Sequence, residues 1–359
     1  MVGGPVRKSP ALLHAHLKSL DAQILPPRVT LTPCFVDDNT DPASSQMLQE
    51  YCEGHKGLYL DGRAPDTPHF DDQHPLTHQW SGDAMVRVGQ IKDTIIHEAV
   101  AGAYDALWLV DSDLLCGPRT LWSLWYADAP VACAVFWTRW QPEAPPLPQV
   151  WLRHPYQLDG RGIEQPEFLH SLATRQRTQV WGQGACTLYR TSVFQKGLSF
   201  DRVPDLPTDG MWQGEDRHLC TRAERLHIPM VADAWPDIFH CYAPKDQARV
   251  DEMWIRLMDE VPGHPKTDDL VSLHLRAVEP IAVAGGQMMG QLQHVRGRLG
   301  RLSLADELEA AVRGMERGER RIVSVTYPHW SKSMFRGTKR LIEVRLVDWR
   351  PHGYAPGLA

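Results

Sequence analysis

The chain lacks any apolar stretch of the roughly 18 residues that a membrane-spanning helix needs, and it opens on no hydrophobic leader segment. Both absences set the expectation of a cytoplasmic protein with no membrane span. Cysteine is scarce and poorly spaced for chemistry: the seven at 34, 52, 116, 133, 186, 220 and 241 include no CxxC pair of the kind that zinc sites and redox motifs use. Reduced, mostly buried thiols are expected instead. Positive charge is short in the front part, where 23 Lys+Arg face 34 Asp+Glu before residue 264, against 15 and 10 from there on. Such a balance argues against a nucleic-acid partner, but it suits a divalent cation that in turn holds an anionic ligand. What the sequence does have is length and apolar content: 359 residues, 43% hydrophobic, enough for a large core and favouring two domains over one.

Strands and helices alternate through the first part. "SPALLHAHLKSLDAQ" places Leu12, Leu13, Leu17 and Leu20 on a helix opened by Ser9 and Pro10 and closed before Pro26-Pro27. The strand "RVTLTPCFV" follows and runs directly into "DDNTDPASS", so acids stand at its end. After a polar stretch rich in Pro, His and Asp, Asp83 opens a helix. Its Ala84, Val88, Ile91, Ile95 and Ala99 share one face, and Arg87, Gln90 and Thr94 share another. Gly102 is placed to end it, and "ALWLV" from Ala106 to Val110 then reads as a strand buried on both faces. Further strands are expected in "APVACAVFW" and "PMVADAW", a helix after Gly117-Pro118, and a helix in "GEDRHLCTRAERLHI" with Leu219, Ala223 and Leu226 toward the core. This alternation predicts an α/β fold with a mostly parallel sheet, in which ligands gather at the carboxyl ends of strands.

The run "ALWLV" ends abruptly in Asp111-Ser112-Asp113. Side chains alternate along an extended segment, so Asp111 and Asp113 can share one side with Cα atoms about 6.5 Å apart. One cation could then be met directly by one carboxylate and through water by the other. Mg²⁺ or Mn²⁺ suits such hard oxygen ligands, keeps waters, and also binds diphosphate oxygens. An acid-x-acid triplet alone also arises by chance; its position after a buried strand gives it weight.

At these residues the chain resembles the nucleotide-sugar glycosyltransferases of the GT-A fold, through motifs in the family's order over about residues 1 to 245. "CFVDDNTDPASSQML" is similar to the segment that contacts the nucleotide base and ribose, and "LWLVDSDLL" to the strand that carries the DxD metal motif. "WGQGACTLYRTSVF" is similar to the glycine-containing segment beside the acceptor, and "GEDRHLC" to the xED motif of inverting members. "DIFHCY" places His240 where several members supply a further metal ligand. The resemblance implies a GT-A (Rossmann-like) α/β domain with a mixed, mostly parallel sheet. It also implies an Mn²⁺- or Mg²⁺-dependent, inverting transfer of a sugar from a nucleoside-diphosphate donor, UDP or GDP, to the hydroxyl of a saccharide, protein or small molecule. At the start, "MVGGPVRKSP" leaves room for only a short first strand, and Asn39-Thr40 stands where Gly-Ser is commoner.

Carried over residue by residue, the resemblance gives Pro5 and Arg7 as nucleotide contacts. Asp37 and Asp38 accept hydrogen bonds from base or ribose, or else close an Asx turn after the strand. Arg87 approaches the base or phosphates, or is an ordinary exposed helix arginine. Asp111, Ser112 and Asp113 face the donor, with Asp111, Asp113 and His240 as the metal ligands and Asp113 the direct one. Asp216 is the general base, and Glu215 binds acceptor hydroxyls. The helix N-terminus beside Asp216 favours its ionised form and so weakens it as a base; exclusion of water by substrate opposes that effect. Trp181 and Trp212 offer flat faces to a sugar, or simply pack in the core, while Gly182, Gln183 and Gly184 bring backbone close to the acceptor, or form a turn.

Past "WIRLMDEVPGHPKTDD" the pattern changes, so that 1–262 and 263–359 are expected as separate domains. "DLVSLHLRAVEP", "RRIVSVTYP" and "RLIEVRLVDW" read as strands around one helix in which Leu308, Ala311, Val312 and Met315 form a stripe. This small α+β tail resembles the FKBP-type prolyl isomerases over roughly 268 to 350, with Leu308 where the family commonly has Trp or Phe at the base of its proline pocket. The resemblance implies a unit that binds a proline-bearing protein partner. Two other readings stand beside the transferase: a binding or folding-assistance protein with an inactive front domain, and a nucleotidyltransferase, which also uses paired acids and Mg²⁺ but leaves "GEDRHLC" without a role.

Overall fold

The computed structural model describes residues 1–63, 81–138, 146–152, 166–206, 214–242, 244–258, 263–278, 281–282, 288–289, 293–302, 304–326 and 339–350. It divides into two compact units, Met1–Met258 and Asp259–Pro356.

The first unit begins β1 (Val2–Val6), α1 (Pro10–Asp21), β2 (Pro33–Asp37), α2 (Pro42–Gly54), β3 (Leu58–Asp61), α3 (Gly82–Ala101) and β4 (Ala106–Val110). It continues with β5 (Leu114–Cys116), α4 (Thr120–Trp125), β6 (Val131–Ala134), the short β7 (Trp137–Thr138), β8 (Leu147–Pro148) and β9 (Val150–Trp151), and α5 (Pro166–Ala173). Then come β10 (Arg177–Val180), β11 (Gly182–Gln183), β12 (Cys186–Arg190), α6 (Ser192–Gln195), α7 (Glu215–Arg225), β13 (Met230–Asp233), β14 (Ile238–His240), α8 (Pro244–Gln247) and α9 (Val250–Met258).

Eight of these strands form one sheet in the order β10-β13-β6-β12-β4-β1-β2-β3. The pairings β4-β1, β1-β2, β2-β3 and β13-β6 are parallel, while β12 runs antiparallel to both its neighbours and β10 to β13. The sheet is therefore mixed and mostly parallel, as expected. Strand order reverses between β1 and β4: the chain winds outward from β1 through β2 to β3, then returns through α3 to β4 on the other side of β1. A reversal of this kind opens a crevice at the carboxyl ends of the two strands, and such crevices are where α/β sheets bind ligands.

Both faces of the sheet are covered, which explains the unbroken apolar run of β4. Leu107 and Leu109 face a core with Ile91, Ile95 and Ala99 of α3 and Leu219 and Ala223 of α7. Ala106, Trp108 and Val110 face the opposite core with Leu13, Leu17 and Leu20 of α1 and Leu48 of α2. The alternation is that of a strand with two buried faces. The first strand is fuller than "MVGGPVRKSP" suggested: all five residues of β1 pair with β2. At α3 the cap is Ser81, whose hydroxyl accepts from the Ala84 N–H, with Asp83 in the first turn. Gly102 does end that helix, but with φ −79; the left-handed residue is Ala103, at φ 52. All seven cysteines are free and buried. Among the described residues no helix is long and apolar enough to cross a membrane.

The second unit holds β15 (Leu270–Ala277), β16 (Ile281–Ala282), β17 (Met288–Met289), β18 (Gln293–Arg298), α10 (Asp306–Arg313), β19 (Arg320–Thr326) and β20 (Lys339–Arg350). Its main sheet, in the order β18-β15-β20-β19, is antiparallel throughout. Leu308, Val312 and Met315 pack with Leu273, Val325, Val344 and Leu346. This is the small α+β unit the tail pattern predicted.

Candidate active site

Asp37 and Asp38 stand at the carboxyl end of β2, and Asp111 and Asp113 follow that of β4, with Lys8 after β1 joining the two ends and the acidic start of α7 beside Asp111. Asp113 follows β4 by a turn in which the Leu114 N–H donates to the Asp111 carbonyl. Behind that turn, β5 pairs antiparallel with β14, His240 opposite Leu114, and the Cys241 N–H donates to the Asp113 carbonyl at 2.9 Å. This two-stranded bridge brings His240 to the motif: its Nε2 lies 3.7 Å from Asp113 Oδ1. The other ring nitrogen, Nδ1, is 2.8 Å from the Thr138 hydroxyl. With the ring proton assigned to Nδ1, the Nε2 lone pair and a carboxylate oxygen face each other, an arrangement that a cation between them relieves.

Asp113 has a second partner, Lys8, whose Nζ lies 3.0 Å from Oδ2. Burial opposes ionisation of this carboxyl, but the Lys8 ammonium beside it outweighs burial and holds the group well below the usual carboxylate range.

Asp111 takes a different direction. Its Oδ1 is 3.6 Å from Lys92 Nζ, which also lies 2.7 Å from Glu215 Oε1 and 3.8 Å from Asp216 Oδ1. Lys92 comes from α3, with only 4% of its side chain exposed, and Glu215 and Asp216 are the first residues of α7. The DxD and xED segments thus close around one buried ammonium. Burial works against the charge of Lys92, yet Asp111, Glu215 and Asp216 outweigh it and hold it well above its usual value. Burial pushes Asp216 up to about 7, with Glu215 and Asp111 assisting and Lys92 opposing. The helix N-terminus, which favours the ionised form, is overcome. The Asp111 carboxyl rises for the same reason, to about 6.

Gly214 gives α7 its entry. Its φ of 108 with ψ 142 is backbone that only glycine adopts without strain, and it lets the chain turn so that Glu215 and Asp216 start the helix facing Lys92.

At the end of β2, Asp38 accepts from Arg87 Nη2 at 2.5 Å, and the same nitrogen reaches the Gly62 carbonyl at 2.6 Å. Arg7 reaches the Asp38 carbonyl at 3.4 Å. Asp37 is fully buried and closes an Asx turn: its Oδ1 accepts from the Asn39 N–H and side-chain amide, and its Oδ2 from the Tyr59 hydroxyl. Of the open alternatives at this strand end, the turn is what Asp37 does, while Asp38 and Arg87 stand together beside it.

The structure separates other sequence-selected residues from this cluster. Pro5 lies within β1 opposite Val36, and Ser112 is buried. The side chain of Gln183 is buried and engaged by the Tyr189 and Thr187 hydroxyls. Gly182 leaves room for an indole, since a Cβ there would meet Trp151 Nε1 at 1.9 Å. Trp181 packs against the core, and the Asp111 N–H donates to the Ala185 carbonyl, so the segment of Gly184 and Ala185 lies beside the DxD turn. Trp212 lies outside the described residues. Lys8 and Lys92 were missed in the sequence. Lys92 carried a signal, falling four residues after Val88 and three before Ile95, on the buried face of α3.

Among the described residues no three His, Cys, Asp or Glu side chains are gathered as metal ligands. Asp113 and His240 nevertheless fit two positions of a Mn²⁺ or Mg²⁺ site, one hard oxygen and one imidazole nitrogen already oriented by Thr138, with water and diphosphate oxygens left to complete it.

No family model matches the chain, and no curated protein matches it. Among solved structures it is similar to S. aureus TarS, at 14% identity and TM-score 0.41 over 73% of this chain and 40% of that one. A structure of S. aureus TarS 1-349 in complex with UDP-GlcNAc gives 15% identity and TM-score 0.38, over 65% of this chain and 56% of that one. A mycobacterial protein gives 14% and 0.34, with 83% of both chains covered. The chain thus spans 40% of the length of the first of these. Likenesses of this degree say nothing about chemistry.

Proposed function

We propose that the first unit is a metal-dependent glycosyltransferase that moves a sugar from a nucleoside diphosphate, UDP or GDP, to an acceptor hydroxyl with inversion. One observation carries the reading: Asp111, Glu215 and Asp216 surround the Lys92 ammonium within 3.8 Å, next to the Asp113–His240 pair. A carboxyl held near neutrality thereby stands beside the pair suited to a cation.

In this reading Asp216 takes the proton of the acceptor hydroxyl as its oxygen bonds to the anomeric carbon. The bond from that carbon to the diphosphate breaks in the same displacement, and the proton stays on Asp216. A base near 7 is better matched to this work than an ordinary carboxylate. Glu215, held by Lys92, positions acceptor hydroxyls, and Asp38 with Arg87 and Arg7 meets the nucleoside. Asp113 and His240 would hold Mn²⁺ or Mg²⁺, which supplies charge stabilisation to the departing diphosphate.

For the second unit we keep the FKBP-like reading in its binding form. Leu308, at the position of the family's pocket base, is 5% exposed and packed into the unit's own core, which speaks against an isomerising pocket at that place.

The test is sugar transfer or donor hydrolysis by the full chain with Mn²⁺, starting with UDP-GlcNAc, the ligand of the TarS complex. Activity with wild type that is lost in Asp216→Asn and Asp113→Ala is expected. Activity untouched by Asp216→Asn sinks the assignment of the base.

A further inference from the structure

Lys8 has its main chain fastened at one strand end and its side chain reaching another. Its N–H donates to Asn39 Oδ1 at 2.8 Å and its carbonyl accepts from the Ser44 hydroxyl at 2.8 Å, so the backbone is fastened to the end of β2 and the first turn of α2. Only the side chain crosses to the end of β4, where Nζ lies 3.0 Å from Asp113 Oδ2. The opposite oxygen of that carboxylate faces His240 Nε2 at 3.7 Å. One carboxylate is thus shared between an ammonium on one edge and the seat suited to a divalent cation on the other.

Resting on the cation reading above, we propose that Lys8 is a displaceable counter-ion that makes cation binding conditional on the nucleotide. While the crevice holds no diphosphate, Lys8 neutralises Asp113, and a cation arriving at the His240 edge meets a compensated carboxylate and a like charge beside it. When a diphosphate enters, Lys8 transfers its hydrogen bonds to the phosphate oxygens and the full carboxylate charge returns to the cation.

The side chain is suited to this. An ammonium is a compact charge with rotatable donors on a flexible stem, and changes partner without moving the backbone. Lys8 also follows β1, one of the two strands that bound the crevice where an α/β sheet takes an anionic ligand. Lys92 cannot take this part: it is 4% exposed and already holds three carboxylates. Arg87 and Arg7 are committed to the Asp38 region.

The experiment titrates Mn²⁺ alone into the full-length protein, following the free-ion electron paramagnetic resonance signal, for wild type, Lys8→Met, Lys8→Arg and Asp113→Ala. A second titration adds UDP in the presence of a chelator. Lys8→Met is expected to bind Mn²⁺ about tenfold more tightly than wild type and to bind UDP alone more weakly, with Lys8→Arg close to wild type in both. Loss of Mn²⁺ binding in Asp113→Ala locates the ion. With that loss seen, unchanged or weaker Mn²⁺ binding in Lys8→Met overturns the counter-ion role and leaves the cation reading standing. Mn²⁺ that binds no variant, or binds regardless of Asp113, overturns both.

Discussion

Replacing Lys92 by methionine keeps an unbranched apolar stem and removes the charge. Its Nζ now serves Glu215 at 2.7 Å, Asp111 at 3.6 Å and Asp216 at 3.8 Å from a nearly fully buried position. Removing one partner from a buried charge cluster leaves the rest uncompensated, at a cost of about 3–5 kcal/mol. The variant has one escape, which is to protonate carboxyls already raised to about 6 at Asp111 and about 7 at Asp216. Both bind protons more readily in the folded than in the unfolded chain, so the instability they bring is absent below their unfolded values and grows as pH rises toward the folded ones. Lys92 is raised instead, and its contribution stays complete until pH passes the ordinary lysine range. Without it the two carboxyls climb further, and the loss becomes pH-dependent in a range where the ammonium itself does not titrate. Urea unfolding of wild type and Lys92→Met, followed by circular dichroism at about pH 5 and about pH 7.5, reads this out. The full loss is expected at the higher pH and a clearly smaller one at the lower. Equal losses at both, or a loss below about 1 kcal/mol at the higher pH, refute the role of Lys92 as the ammonium that holds the three carboxylates.

With Asp216 as the proposed base, its raised carboxyl is expected to make the transfer rate climb as pH rises through about 7 and level off above; a pH–rate profile flat from about 5 to 8 contradicts that role. Thr138→Val removes the partner of His240 Nδ1, and Mn²⁺ affinity is expected to fall about 10–100-fold with the fold intact, measured by the same resonance titration. Among the described residues a Cβ at Gly214 meets no atom within 4 Å, so the expected cost of Gly214→Ala is backbone strain, about 1–3 kcal/mol by chemical denaturation; a neutral substitution would mean that the turn into α7 relaxes freely.

The architecture was legible because its signals are local. "ALWLV" reads as a doubly buried strand, and Leu13, Leu17 and Leu20 as a helix face, without knowledge of anything else, and both are so placed. The acids of the site were visible for the same reason: each follows or begins an element that periodicity identifies. Which acid meets which partner was not visible. Asp111 and Asp113 are two residues apart, yet one turns to Lys92 and the other to Lys8 and His240, because a turn separates β4 from β5 where a continuous strand would have kept them on one side. Lys8 carries no signal of its own, since nothing in "PVRKSP" hints that its side chain reaches the end of β4. Gln183 lies in an acceptor-like motif but is consumed by Tyr189 and Thr187, a contact across β12 that composition does not encode.

The bridge between β5 and β14 has a consequence for how the protein comes to exist. Lys8 and Asp113 are 105 residues apart in the chain, and Thr138 and His240 are 102. Contacts of such sequence separation form only after the chain between them has closed into a long loop. A ribosome must release β14 before Asp113 can meet His240, and until then the growing chain exposes acids with no site to join. Any ligand of this seat is therefore recognised by the completed topology alone.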